Sequence, residues 1–276
     1  MWDLKTILLP VDFSDRSRGV APYVKAFASL FGSQLVLLHV QDSHRGSRSG
    51  QTDQTKTQLE SFCSKELQGL SVTPEIVEGD PATKIVEYAH DKHADLIMMP
   101  TRGYGRYRRF LLGSETAKVL HDCDCPVWTS VHAEETPPAE SVSLRKVACA
   151  VDLGPHTEPV LSWASGFTSA CNGRLLVIHV TRSIEPIVAE ASAPDLQIEL
   201  LRRAKEDIAD RLAKLKVEAE ISVASGPVTE EIYNHAARFA ANLLIIGRHA
   251  AKGLGGRLHP HAYAIIRESL CPVVSI

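Results

Sequence analysis

The sequence predicts an α/β fold: two tandem copies of a five-stranded parallel, doubly wound sheet with helices on both faces. Three observations predict it. First, the chain repeats itself. Ile7-Leu8-Leu9-Pro10-Val11-Asp12 aligns with Val147-Ala148-Cys149-Ala150-Val151-Asp152, and Leu35–Val40 with Leu175–Val180, both 140 residues on. Ala94-Asp95-Leu96-Ile97 aligns with Ala241-Asn242-Leu243-Leu244 at an offset of 147, and Cys125-Pro126-Val127 with Cys271-Pro272-Val273 at 146. A drift of a few residues is what loop insertions produce. Second, the apolar runs are continuous rather than alternating, as in strands covered on both faces. Third, those runs alternate with helical patterns, which demands right-handed crossovers.

In order along the first copy, strands are expected at Thr6–Val11, Gln34–Val40, Val72–Val77, Asp95–Met99 and Val127–Val131. Between the first two, Val20, Val24, Phe27, Ala28 and Phe31 form the stripe of an amphipathic helix. Ser14 and Asp15 supply its start and Gly32 a left-handed stop. The second copy repeats the stripe as Val160, Ala164, Phe167 and Cys171 and stops at Asn172. The closing runs Val127–Val131 and Val273–Ile276 are short edge strands that need a partner. The expected domains are 1–132 and 144–276, joined by the polar, extended stretch 133–143 with its Pro137-Pro138. Asp42–Gln51, rich in Gly, Ser and Arg, is a loop: either a lid or a plain crossover.

Composition excludes several classes. The chain of 276 residues carries 33 acidic and 30 Lys/Arg side chains, a net −3, which rules out a dominant electrostatic role on nucleic acid or a membrane surface. No apolar run reaches the 18 or so residues of a membrane helix, and Met1–Val11 lacks the pattern of a secretory signal. Six scattered cysteines make no disulfide scaffold, so reduced thiols in a cytoplasm are expected.

In an open parallel sheet, ligands bind beyond the carboxyl ends of the strands, where the strand order reverses. Pro10–Ser14, Val40, Gly79-Asp80-Pro81 and the segment after Met99 converge there. That last segment reads Pro100-Thr101-Arg102-Gly103, nine residues, then Gly113-Ser114-Glu115. Gly113 and Ser114 open a helix running through Leu120, so free N–H groups and the helix dipole face outward. Gly103 permits close backbone approach, Ser114 adds a hydroxyl, and Arg102, Arg106, Arg108 and Arg109 add positive charge suited to a polyphosphate. The competing reading is a plain loop capped at a helix start.

A duplicated unit with these motifs resembles the universal stress protein family in its tandem form. Ile7–Asp12, Leu38-His39-Val40, Gly79-Asp80-Pro81, Gly103-x9-Gly113-Ser114 and Cys125-Pro126-Val127 carry the resemblance, which covers nearly the whole chain in two passes. It implies a Rossmann-like, adenine nucleotide alpha hydrolase-like sheet that holds ATP, alone or with Mg²⁺, at the strand ends. Pro10, Val11, Asp12 and Val40 would serve the adenosine end. Gly103, Gly113 and Ser114 would serve the phosphates, with Met99, Thr101, Arg102 and Glu115 flanking them. It also implies that closing strands pair across a twofold, giving a pseudo-dimer within one chain and room for a homodimer of chains.

The sequence departs from the family's Gly-x2-Gly-x9-Gly-Ser/Thr signature. Pro100 stands at the first glycine and removes an N–H. In the second copy Gly247 remains, but Ala250 replaces the second glycine and His259-Pro260 stands where Gly113-Ser114 stood, so no triphosphate is expected there, although Asp152 is kept. Asp12 is read as a ribose or Mg²⁺ ligand, or as a helix-entry carboxylate. His121, Cys123 and Cys125 offer zinc donors, with structural roles the stronger reading, and His249, His259 and His261 offer a metal site, with a solvated loop the stronger reading. Tyr104 and Tyr107 alone make no stacking platform for nucleic acid. No nucleophile–base pair stands at readable spacing, so nothing beyond slow hydrolysis of a bound nucleotide is argued. The expected function is an ATP-binding stress-response or signalling adaptor; the alternative is a nucleotide-free interaction scaffold working through the second copy.

Overall fold

The computed structural model describes residues 2–41, 51–101, 112–131, 138–181, 183, 193–248 and 260–276, with the side chains of 51, 52, 193–195 and 260 left aside. The chain divides into two compact units at Val142/Ser143.

In the first unit, β1 (Thr6–Pro10), α1 (Asp15–Phe31), β2 (Gln34–Gln41), α2 (Gln51–Ser61), β3 (Ser71–Glu78), α3 (Pro81–Asp91), β4 (Leu96–Pro100), α4 (Ser114–Asp122) and β5 (Val127–Ser130) follow in order. The sheet order is β3-β2-β1-β4-β5 and its pairs are parallel, with Thr6 opposite Gln34, Leu8 opposite Ile97, and Pro100 opposite Ser130. β1 and β4 are buried over Ile7–Pro10 and Leu96–Met99, whereas the edge strand β3 is exposed at Ser71, Val72 and Glu78 and half buried between them. The α1 stripe Val20, Val24, Phe27 and Ala28 is buried on the sheet. Phe31, expected in that stripe, instead lies half buried with its ring edge-on to Trp2 at 5.3 Å. Ser14 caps α1 by accepting from Ser17 N–H, and Gly32 ends it at φ 68°.

Strand ends shift by a residue from expectation in several places, and three departures have clear physical reasons or consequences. Asp95 precedes β4, because its Oδ2 accepts from the N–H groups of Lys5 and Thr6 (2.8 Å each) and so pins the entry of β1. Gln51, placed in a loop by its polar surroundings, starts α2; the rest of that loop, 42–50, lies outside the described residues. In the stretch expected to be extended, Ala139–Ser141 form a 3₁₀ turn against α1.

The second unit repeats the plan with β6 (Lys146–Ala150), α5 (Thr157–Ala170), β7 (Arg174–Thr181), α6 (Ala193–Leu215), β8 (Glu220–Ser225), α7 (Val228–Phe239), β9 (Leu243–Ile246), α8 (Pro260–Glu268) and β10 (Val273–Ser275). The order is β8-β7-β6-β9-β10. Val160, Ala164, Phe167 and Cys171 are buried, and Asn172 takes the left-handed conformation at φ 48°. Asn242 does the work of Asp95, its Oδ1 accepting from Lys146 N–H and Ser143 Oγ. No helix among the described residues is long and apolar enough to cross a membrane.

Candidate functional site

In the first unit the strand order reverses at β1, between β2 and β4, and a cleft opens at the carboxyl ends of these three strands. The exit of β1 is tightly specified. Val11 N–H extends the ladder to Leu38 O at 2.8 Å, after which Phe13 turns the chain at φ 61°. A bulky residue in the left-handed region stores on the order of 1–3 kcal/mol and persists only where its surroundings over-determine it. Here His39, at the end of β2, supplies the constraint. Its Nδ1 lies 2.7 Å from Val11 O, and since a carbonyl only accepts, Nδ1 carries the proton. Its ring also stands 4.5 Å from the Phe13 ring, which meets Phe62 edge-on at 5.8 Å.

This turn sets Asp12 over the start of α1. Asp12 Oδ1 accepts from Ser14 N–H (3.0 Å), Ser14 Oγ (2.6 Å) and Ser17 Oγ (2.5 Å). Burial pushes its carboxyl up, but the Ser14 and Ser17 hydroxyls and the Ser14 N–H outweigh that and hold it below the ordinary range. Among the described residues none donates to Oδ2, so one face of an ionised carboxylate remains for a hydroxyl or a cation.

The opposite wall is built from β4 and the starts of α3 and α4. Pro100 ends β4, and its carbonyl accepts from Thr116 Oγ1 at 3.1 Å, tying α4 to the strand. Thr101 spends both donors on Ser130 O, N–H at 3.1 Å and Oγ1 at 2.9 Å. Gly113 caps α4 in an extended conformation (φ −66°, ψ 148°), leaving the N–H groups of Ser114, Glu115 and Thr116 without intrahelical acceptors. Gly79, at φ 141°, brings the chain from β3 into α3, where Asp80 accepts from Thr83 N–H (3.1 Å) and Oγ1 (2.7 Å). Those two hydrogen bonds, helped by Lys118, hold the Asp80 carboxyl low. Glu115 crosses to α3, its Oε2 accepting from Ala82 N–H at 3.1 Å, while Ser114 Oγ donates to Oε1 at 3.3 Å.

The resulting cleft has a volume of about 200 Å³. Of the residues the sequence singled out, Pro10, Val11, Asp12, Val40, Met99, Thr101, Gly113 and Glu115 line it. Ser114 does not: it lies exposed at the helix start, hydrogen-bonded to Glu115. Arg102 and Gly103, with Arg106, Arg108, Arg109, Tyr104 and Tyr107, lie outside the described residues. Sequence reasoning missed Ser17, His39, Ile85 and Thr116 in the wall. His39 had a signal, since it recurs 140 residues on as His179. Val11, Leu38, Val40, Ile85 and Met99 give the cleft apolar surface, and Gly113, Glu115 and Thr116 bring the α4 start into its wall.

The second unit has a cleft at the matching place, of about 400 Å³, lined in part by Asp152, His156, Thr157, His179, Gly247 and His261. The strand exit is preserved: Leu153 turns at φ 61°, and His179 Nδ1 meets Val151 O at 2.8 Å. The carboxylate is less supported, because Gly154 replaces Ser14; Asp152 Oδ1 accepts from Gly154 N–H at 2.8 Å and from Thr157 Oγ1 at 3.3 Å. Ala250, His249 and His259 lie outside the described residues, and Pro260 begins α8. Around His121, the imidazole pairs with Asp122 and the Cys123 and Cys125 sulfurs stand 3.3 Å apart. Among the described residues no three His, Cys, Asp or Glu side chains gather as a metal site would need.

Comparison with known proteins agrees with the repeat. The profile of the universal stress protein family matches residues 3–130 and again residues 143–276. A crystal structure of a universal stress protein from Archaeoglobus fulgidus superimposes with a TM-score of 0.74, covering 99% of this chain and 98% of that one at 21% identity, which speaks to the fold. A universal stress protein of Methanocaldococcus jannaschii is 33% identical over 135 residues, 45% of this chain and 79% of its own. One from Thermus aquaticus is 33% identical over 132 residues, 45% of this chain and 96% of its own.

Proposed function

The chain belongs to the universal stress protein family, with two of its domains in tandem, and from that premise we propose that its first unit binds ATP and that the protein works as a nucleotide-responsive stress or signalling adaptor. The observation that carries this reading is the cleft itself: at one sheet end it joins an apolar slot, an ionised carboxylate and a helix N-terminus. These match the three parts of a nucleotide. Val11, Leu38, Val40, Ile85 and Met99 suit a purine. Oδ2 of Asp12 suits a ribose hydroxyl or a Mg²⁺ ion brought by the phosphates. The N–H groups opening α4, with Gly113 leaving room before them, suit phosphate oxygens. The bound nucleotide would supply phosphate charge as a binding signal. The second unit keeps the strand exit but has Pro260 at the start of α8 in place of Ser114, and we assign it no triphosphate. We place the protein in the cytoplasm, where its six cysteines would be kept reduced.

A second reading has one observation in its favour. Glu115 places a carboxylate on the phosphate end of the cleft, where it already satisfies the α3 N-terminus. In that reading the protein is a nucleotide-free scaffold.

The test is to denature purified protein and run the released small molecules on an ion-exchange column beside nucleotide standards, with calorimetry of Mg-ATP on emptied protein. About one adenine nucleotide per chain, abolished by Gly113→Val, supports the proposal. Two per chain would refute the silent second unit. No nucleotide and no heat would replace the proposal with the scaffold reading.

A further inference from the structure

The six cysteines fall into two groups. Cys63 and Cys149 are buried, and burial pushes each thiol up to about 12; Cys271 is pushed up to about 11 and Cys171 is raised, again by burial. Such thiols yield little thiolate and are poor nucleophiles. Cys123 and Cys125 differ in arrangement. They follow α4 directly, Cys123 N–H closing the helix on Val119 O at 3.0 Å, and their sulfurs stand 3.3 Å apart. Both reach the same cavity of about 560 Å³, which His90, His93, Asp95 and Asp122 also line. Cys125 is half exposed, and Cys123 sits behind it at 3% exposure.

The second unit provides a comparison within the chain. Its equivalent run is Ser269-Leu270-Cys271, in which a hydroxyl replaces the first thiol and Ser269 Oγ lies 3.8 Å from Cys271 Sγ. The backbone path therefore brings the two side chains together in both units, and only the first places a thiol at each position.

We propose that Cys123 and Cys125 form a redox site, closing reversibly to an intramolecular disulfide when a peroxide enters the cavity beside them. A disulfide bond of about 2.05 Å requires the sulfurs to approach by little more than an ångström. The thiolate of Cys125 attacks one peroxide oxygen and breaks the O–O bond, giving a sulfenic acid and releasing water, or an alcohol from an organic peroxide. Cys123 Sγ then attacks the sulfenyl sulfur, the S–S bond forms, and the hydroxyl leaves as water with the thiol's proton. Two electrons pass from the thiols to the peroxide, and a dithiol reductant returns them.

The test treats the full chain with hydrogen peroxide at a few equivalents, titrates thiols in denaturant, and maps peptides by mass spectrometry. The count should fall from six to four, the peptide spanning 123–125 should lose two hydrogens, and dithiothreitol should restore both. Cys125→Ser should hold its five remaining thiols, since Cys123 is shielded. Cys123→Ser should instead gain oxygen on Cys125 with no loss of paired hydrogens. A native circular dichroism spectrum for each variant establishes that it has folded. Retention of all six thiols under peroxide that oxidises a control dithiol would overturn the proposal. So would loss mapping to other cysteines or to links between chains.

Discussion

Ser17→Ala is a small change with a readable consequence. Ser17 is buried at 2% exposure; its Oγ donates to Asp12 Oδ1 at 2.5 Å and accepts from Asp12 N–H at 3.4 Å. Alanine fits the space and removes one of three donors to a carboxylate. A hydrogen bond to a charged group contributes about 1.5–3 kcal/mol. Asp12 faces solvent on its other side, and water replaces part of what is lost, so the expected cost is about 1–1.5 kcal/mol. The loss also has a pH signature. The folded Asp12 carboxyl is held below its unfolded value by the Ser14 and Ser17 donors against the opposing effect of burial. Its stabilisation is therefore fully present above a pH of about 3.9 and is lost as pH falls through the lowered folded value. Removing one donor lets the variant's carboxyl rise toward the ordinary range. Urea unfolding at pH 7, 5, 4 and 3 should show a gap between wild type and S17A that is constant down to about pH 4 and narrows below it. The looser carboxylate should also weaken ATP binding several-fold at pH 7. A gap that ignores pH, or one under about 0.5 kcal/mol at pH 7, would show that the serine cluster does not hold Asp12 ionised. In the second unit, Thr157→Val removes a longer contact of 3.3 Å and should cost less than S17A.

Glu115→Gln keeps an acceptor for Ala82 N–H but removes a negative charge from the phosphate end of the cleft. In the water-like dielectric of an open cleft this relieves about 1 kcal/mol of repulsion, so calorimetry should find Mg-ATP bound about 5-fold tighter; unchanged or weaker binding would sink the idea that Glu115 opposes phosphate. Gly79→Ala forces a side chain to φ 141° with its Cβ 2.8 Å from the flexible Lys84 Cε. The backbone strain dominates, and the urea midpoint should drop by the equivalent of about 1–3 kcal/mol; a shift under 0.5 kcal/mol would mean that the β3–α3 turn relaxes.

What the sequence revealed, and what it did not, divides by the range of the interaction. Continuous runs such as Ile7–Leu9 and Leu96–Met99 are legible because a strand covered on both faces has no choice of residue type. Ser14 and Gly32 are legible because a cap is a local requirement, met within a few residues. Ser17 and Thr116 escaped notice because their partners, a carboxylate five residues back and a carbonyl sixteen residues back, depend on how a turn is folded. Glu115 was placed in the site by the signature, yet its bond to Ala82 spans 33 residues and no local pattern encodes it. His39 was seen as part of a repeated motif and given no role, since its partner is a backbone carbonyl that any residue would present.

The two units also separate what the fold needs from what a ligand needs. Asp12 and Asp152, the left-handed Phe13 and Leu153, and the ring nitrogens of His39 and His179 on Val11 O and Val151 O are all retained in both copies. Each belongs to a closed set of contacts that turns the first strand of its unit into a helix. Retention of Asp152 is thus explained by the turn and is no sign of ligand binding in the second unit. The differences fall on the other side: Gly154 for Ser14, Thr157 for Ser17, and Pro260 for Ser114. The first and third remove donors around the cleft, the second lengthens one contact from 2.5 to 3.3 Å, and none touches the β-ladder. A strand exit can be kept for its geometry while the donors around it drift. For that reason the nucleotide content of the intact chain, counted per unit, discriminates between the copies better than the presence of the aspartate does. If Asp152→Ala lowers the stability of its unit and leaves the bound nucleotide at one per chain, the aspartate is structural there. If it also removes nucleotide, the two clefts are alike in function, and their differences in sequence are ones that nucleotide binding tolerates.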